Sequence, residues 1–125
     1  MAKLTFVGGI HPYDGKDLSK DKPIQDVLPK GEMVYPLSQH IGAPAKPIVA
    51  KGDRVLAGQK IAESGGFVSA PIYASVSGTV KTIETRRVVT GDLIQSIVID
   101  NDGLYESEEF HPYAPVDKLQ KEEIL

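Results

Sequence analysis

The stretch Val49-Ala50-Lys51-Gly52-Asp53-Arg54-Val55-Leu56-Ala57-Gly58-Gln59-Lys60-Ile61 constrains the fold more than any other part of the chain. It has the form V-x-x-G-D-x-V-x-x-G-Q-x-I. Gly52-Asp53 suits a tight turn, because glycine takes positive φ at little cost and an aspartate can hydrogen-bond the local backbone. Gly58-Gln59 makes a second turn six residues later, and Val55 between them can point inward. A weaker echo follows in Gly78-Thr79-Val80 and Val89-Thr90-Gly91-Asp92-Leu93-Ile94. Two related halves, each a strand, a Gly-Asp turn and a strand, predict an internal pseudo-twofold.

Short β-branched segments recur around this motif: Met33-Val34-Tyr35, Pro47-Ile48-Val49, Arg54-Val55-Leu56, Gly78 to Ile83, and Gln95 to Ile99. Glycines punctuate them, and no helical period runs through residues 33–103. Many short strands between turns predict an all-β barrel or sandwich. Only the last segment alternates cleanly, with Ile97 and Ile99 on one face. The flanks differ in texture. Residues 1–32 mix Gly, Pro, Lys and Asp around a possible short strand at Leu4 to Val7, which predicts an arm that wraps the body or reaches a partner. Residues 104–125 are acidic and end in Leu119-Gln120-Lys121-Glu122-Glu123-Ile124-Leu125, which has the look of the opening turn of a helix. One turn alone is not stable, so the natural chain is expected to continue. The phrase His11-Pro12-Tyr13 returns as His111-Pro112-Tyr113, an echo taken as chance.

Composition narrows the function classes. With no tryptophan and few phenylalanines, the core must be built of Val, Ile, Leu and Ala. The net charge is −3 and no basic run exceeds Arg86-Arg87, which argues against nucleic acid as a main partner. The chain has no cysteine, so it holds neither a disulfide nor a cysteine-ligated zinc or iron–sulfur site. Met1-Ala-Lys opens without an apolar signal segment, and no apolar run approaches the roughly 20 residues that span a bilayer. Any membrane association is expected to come through partners.

Few residues suggest chemistry. His11, His40 and His111 are the only histidines, and their separations give no ligand spacing. The plainer expectation is a local hydrogen bond for His40 and surface positions for the others. Ser38 with His40 and an aspartate could be drawn as a triad, but no nucleophile-elbow sequence surrounds Ser38. Asp53 reads as a turn residue rather than an acid or base. Gly65-Gly66 lacks a following helix that could bind phosphate, and reads as a hairpin tip. Phe67 on that tip either folds back on its own sheet or docks on a neighbour. Arg86 and Arg87 are expected in a solvated loop between strands, with contact to an acidic partner as the alternative.

The spacing of the turn motif resembles the barrel-sandwich hybrid fold of biotinyl and lipoyl carrier domains, over about residues 40–100. In those carriers a modified lysine sits on a hairpin tip. The matching interval, Ala62 to Pro71, contains no lysine, so the resemblance supplies a carrier's scaffold without its nucleophile.

A narrower resemblance covers nearly the whole chain. Gly8-Gly9-Ile10-His11-Pro12, Pro36-Leu37-Ser38-Gln39-His40-Ile41-Gly42-Ala43-Pro44, Gly65 to Val80 and Ser96 to Gly103, in that order, are similar to the N-terminal region of the RnfC family, the C subunits of Rnf-type electron-transport complexes. The family usually continues its first phrase with a second proline and a glutamate, where Tyr13-Asp14-Gly15-Lys16 stands in this chain. A related domain opens the A subunits of sodium-pumping NADH:quinone oxidoreductases, and that family is the alternative, together with a biotinyl or lipoyl carrier.

The RnfC resemblance implies a whole subunit that binds FMN and NADH and carries two 4Fe–4S clusters, all beyond these residues. It also implies a complex that exchanges electrons between ferredoxin and NAD, coupled to ion movement. The chain itself is then expected to be an all-β barrel-sandwich hybrid at residues 33–103, with an N-terminal extended arm at 1–32 and a linker with a truncated helical start at 104–125. It is expected to hold no cofactor and to catalyse nothing alone. The expected setting is the cytoplasmic side of the membrane, held peripherally by other domains of its own polypeptide and by other subunits of the Rnf complex. Gly52, Asp53, Gly58 and Gly78 are the expected turn residues. Gly65, Gly66, Phe67 and Pro71 are the expected docking residues.

Overall fold

A computed structural model describes residues 12–110. Seven strands form two antiparallel sheets. β1 (Glu32–Pro36), β7 (Leu93–Asn101), β6 (Gly78–Arg87) and β3 (Arg54–Val55) pair in that order in one sheet. β2 (Lys46–Pro47), β4 (Lys60–Glu63) and β5 (Ile72–Tyr73) form the other. The core between them is aliphatic, as the lack of tryptophan requires. Val55, Ile61, Val76, Val80, Ile97 and Ile99 are fully shielded, with Tyr35 the one aromatic among the buried residues. Tyr35 is also satisfied as a polar group: its hydroxyl meets Ser75 Oγ at 2.9 Å and accepts the Ser75 N–H at 3.1 Å. The expected all-β barrel-sandwich architecture is the one observed.

Two strands depart from what their sequence suggests, and each departure has a cause. In β6, Val80 pairs with Ile99 and Ile83 with Ile97, so two residues three apart share the core face. A β-bulge between Val80 and Thr82 absorbs the extra residue and hides the period of two. β6 also runs on through Arg86 and Arg87, which were expected in a loop. They are its last two residues, and Arg86 meets carboxylates of Glu84 and Glu32. In β7, Ile97 and Ile99 face the core as expected, yet Val98 on the opposite face is also 0% exposed. Glu32 of β1 reaches Lys81 and Arg86 of β6 across the intervening β7, on the side where Val98 lies. Long charged side chains thus pass over a residue that would otherwise be wet.

The turns explain the founding motif. Asp53 N–H donates to Ala50 O at 3.1 Å with Gly52 at φ +95°, and Gln59 N–H donates to Leu56 O at 3.1 Å with Gly58 at φ +87°. Each turn is locked by its fourth residue. Asp53 Oδ2 accepts the Ala50 N–H at 2.7 Å, and Gln59 Oε1 accepts the Leu56 N–H at 2.9 Å. The motif therefore encodes one turn twice. The downstream echo does not reproduce it: there the Gly91 N–H donates to Val88 O, so the glycine stands one place later. The expected pseudo-twofold does not extend to these turns. Gly78 is not a turn glycine either, and its role is steric. A Cβ there would land on the Asp100 carbonyl, 2.9 Å from its carbon.

Asp53→Ala and Gln59→Ala should each destabilise the domain by about 1 kcal/mol, the net worth of one hydrogen bond. Urea midpoints check this, and unchanged midpoints would mean the side-chain locks contribute nothing.

Residues 12–28 do not wrap the body. Apart from a single 3-10 turn at Lys16–Leu18, residues 12–28 are irregular and almost entirely exposed, Ile24 and Val27 included. The arm is rooted at Pro29, whose carbonyl accepts from Asn101 Nδ2 at 2.7 Å and from the Tyr105 hydroxyl at 2.6 Å. The possible strand at Leu4 to Val7, the histidines of the two His-Pro-Tyr phrases and the helical start at Leu119 lie outside the described residues.

Candidate docking surface

β4 and β5 are joined by the hairpin loop 64–71. The loop is held from one side by the segment 38–44 that follows β1: Ala43 N–H donates to Val68 O at 2.9 Å. Within the loop, Gly65 N–H donates to Ser69 Oγ at 2.9 Å. Two glycines permit the close approach. A Cβ on Gly65 would collide with the Pro44 carbonyl, and one on Gly42, at φ +116°, would collide with that of Val68. His40 pins the same contact. Its Nδ1 lies 3.0 Å from Ile41 O and its Nε2 accepts the Ala70 N–H at 3.0 Å, so Nδ1 carries the proton. The expected local hydrogen bond of His40 is present, and a second one reaches thirty residues along the chain.

With both ring nitrogens bonded to backbone, His40 cannot serve Ser38 as a base. Among the described residues no group of three His, Asp or Glu side chains could hold a metal. His11 and His111 lie outside the described residues.

Phe67 does not fold back on its sheet. It stands fully exposed at the tip, beside the exposed Val68 and with the exposed Ile41 on the supporting loop. Gly66 is exposed as well, while Gly65 and Pro71 are half-buried at the base. The structure thus gathers the expected docking residues on one supported loop. Sequence reasoning did not find the support from Gly42 and His40.

A second arrangement ties down the far end of the body. Ser77, fully buried, donates its hydroxyl to Asp102 Oδ1 at 2.7 Å and accepts the Glu106 N–H at 3.0 Å. Arg54 bridges Asp102 and Glu106. Ala57 exchanges backbone hydrogen bonds with Glu106 and Glu108. Residues 102–108 are therefore clamped to the body. The Leu104 N–H, the Ser77 hydroxyl and Arg54 hold the Asp102 carboxyl below its usual range. Glu106, then Asp102, raises Arg54. In the same way Lys81 lowers Glu32 and is raised by it.

The sign of the pH effect follows. A carboxyl whose pKa is lower in the folded state contributes stability above the unfolded value and loses it as pH falls through the folded value. The clamp should loosen below about pH 4. Amide exchange at Glu106 and Glu108, corrected for intrinsic rates, should rise there. Asp102→Asn should show that rise already at neutral pH. Equal protection in wild type and variant would show that the carboxylate does not hold the segment.

The fold defines the class, a barrel-sandwich hybrid domain, here with an exposed aromatic at the tip of the β4–β5 loop. The family model of the RnfC barrel sandwich hybrid domain matches residues 4–104, and the chain belongs to that family. Over 121 residues it is 41% identical to the C subunit of the Na(+)-translocating ferredoxin:NAD(+) oxidoreductase complex of Acetobacterium woodii, covering 96% of this chain and 27% of that protein. Over 99 residues it is 46% identical to the C subunit of the proton-translocating ferredoxin:NAD(+) oxidoreductase complex of Clostridium ljungdahlii, covering 79% and 22%. The C subunit of the ion-translocating oxidoreductase complex of Vibrio cholerae is 37% identical over 122 residues, covering 96% and 16%. The chain thus spans roughly a quarter or less of the length of these relatives.

Proposed function

We propose that this domain is a structural docking module of the RnfC subunit in an Rnf-type ion-translocating ferredoxin:NAD oxidoreductase. The observation that carries the reading is the fully exposed Phe67 on a hairpin that loop 38–44 holds in place. An aromatic presented on a rigid support costs little ordering entropy when it docks, and such anchors dominate interfaces. The module positions the flavin- and NADH-binding part of its own polypeptide and neighbouring subunits on the cytoplasmic side of the membrane. Among the described residues no helix is long and apolar enough to cross a membrane, which suits attachment through partners.

The cofactors of such a subunit belong to its other parts. A 4Fe–4S cluster does not fit this chain, which has no cysteine to ligate its irons. A carrier role does not fit the hairpin, since no lysine lies between Lys60 and Lys81.

A competition experiment tests the reading. Excess isolated domain, added while the complex reassembles from its separated subunits, should occupy the docking site and reduce incorporation of the intact subunit. The same domain carrying Phe67→Ala should compete at least several-fold less well. If wild-type domain leaves assembly untouched, it does not dock by itself and the proposal fails.

A further inference from the structure

The strand register gives the body two ends. At one lie Gly31, Gly78, Asn101 and the clamped residues 102–108, where the described chain enters and leaves. At the other, β1 runs out at Pro36, β6 runs out at Arg87 and β7 begins at Leu93. The Phe67 hairpin belongs to this second end, because the loop that supports it follows directly from β1. Between that loop and the β6–β7 turn opens a groove of about 870 Å³. Its walls carry Ile41 on one side and Val89 on the other, both almost wholly exposed, with the aliphatic Val34 and Ile94 also lining it. Ile41 is thus shared between the hairpin's support and the groove.

The two arginines of the groove have donors to spare. Arg87 donates to Gly91 O at 2.7 Å and has no carboxylate partner among the described residues. Arg86 has Glu32 and Glu84 at its guanidinium nitrogens, but its Nε is buried with no acceptor. Asp92, the carboxylate in the lining, already takes the Thr90 hydroxyl at 2.8 Å. His40 has both nitrogens on backbone. An incoming carboxylate would match the free face of the Arg87 guanidinium, which pairs with such groups two bonds at a time. Apolar side chains flanking that carboxylate would cover Ile41 and Val89.

We propose that this groove binds an acidic segment bearing apolar side chains from a separate polypeptide, seated next to the hairpin contact. Residues 102–108, clamped at the opposite end of the body, do not line the groove. The proposal rests on the docking reading for its setting but uses different residues.

The test uses the intact RnfC polypeptide in its assembled complex. A photo-crosslinking amino acid at position 89 should couple to a stretch of another subunit that contains Asp or Glu among apolar residues. Arg87→Glu should weaken association at least tenfold without lowering the melting temperature of the 125-residue chain. Exchanging the crosslinked carboxylate for lysine should restore it. Crosslinks into the polypeptide's own later residues, or none at all, would overturn the proposal. So would normal association of Arg87→Glu. In the last case, weakened association of Phe67→Ala would leave the hairpin reading standing, whereas normal association of both variants would remove the two together.

Discussion

Gly78→Val should cost the domain about 3 kcal/mol or more and lower its melting temperature by roughly 15 °C or more. Gly78 opens β6 between β3 and β7, paired with Val55 on one side and Asn101 on the other. It is buried, and the space its side chain would need is filled by backbone. The nearest atoms are the Asp100 carbonyl oxygen and carbon and the Asn101 Cα, the last at 3.2 Å. Backbone in the middle of a sheet cannot move aside without breaking its own ladder, so even Gly78→Ala should be clearly destabilised. Gly52 makes the contrast. Its φ of +95° strains any other residue, but no atom lies within 4 Å of where a Cβ would stand. Gly52→Val should therefore lose only about 1–2 kcal/mol. Thermal melts of the variants check the order. If Gly78→Ala melts like wild type, or if Gly52→Val is the worse of the pair, the assigned steric role is wrong.

These two glycines also show what a sequence discloses and what it withholds. The turns at Gly52 and Gly58 were legible because a turn is local: the glycine, its position and the acceptor side chain that follows all lie within four residues. The close approaches at Gly78, Gly42 and Gly65 were not, because a glycine in the sequence does not name the distant backbone that comes against it. β6 was legible only in its first half. Its bulge breaks the alternation between Val80 and Ile83, and its far half carries Glu84, Arg86 and Arg87 beyond the core, where no apolar face is needed. The burial of Val98 depends on ion pairs between strands that are neighbours of β7 but far apart in the chain. For the candidate site, the hairpin and its aromatic could be read from Gly65-Gly66-Phe67, since a tip needs only its own residues. The choice between folding back and standing out could not be read, because it depends on whether loop 38–44 fills the space beneath.

Phe67→Ala decides whether the hairpin docks, provided it is measured in two settings. In the 125-residue chain, Phe67 is fully exposed, so truncation removes no core contact and the melting temperature should stay within about 2 °C of wild type. In the intact RnfC polypeptide, the same change should weaken association with the rest of the complex by about 1–3 kcal/mol, the loss typical of an apolar anchor at an interface. That is roughly a 5- to 150-fold change in the dissociation constant. A docking hairpin gives a variant that melts as wild type and binds several-fold more weakly. If the variant binds as tightly as wild type, the hairpin is a solvated loop and the domain's docking has to lie elsewhere.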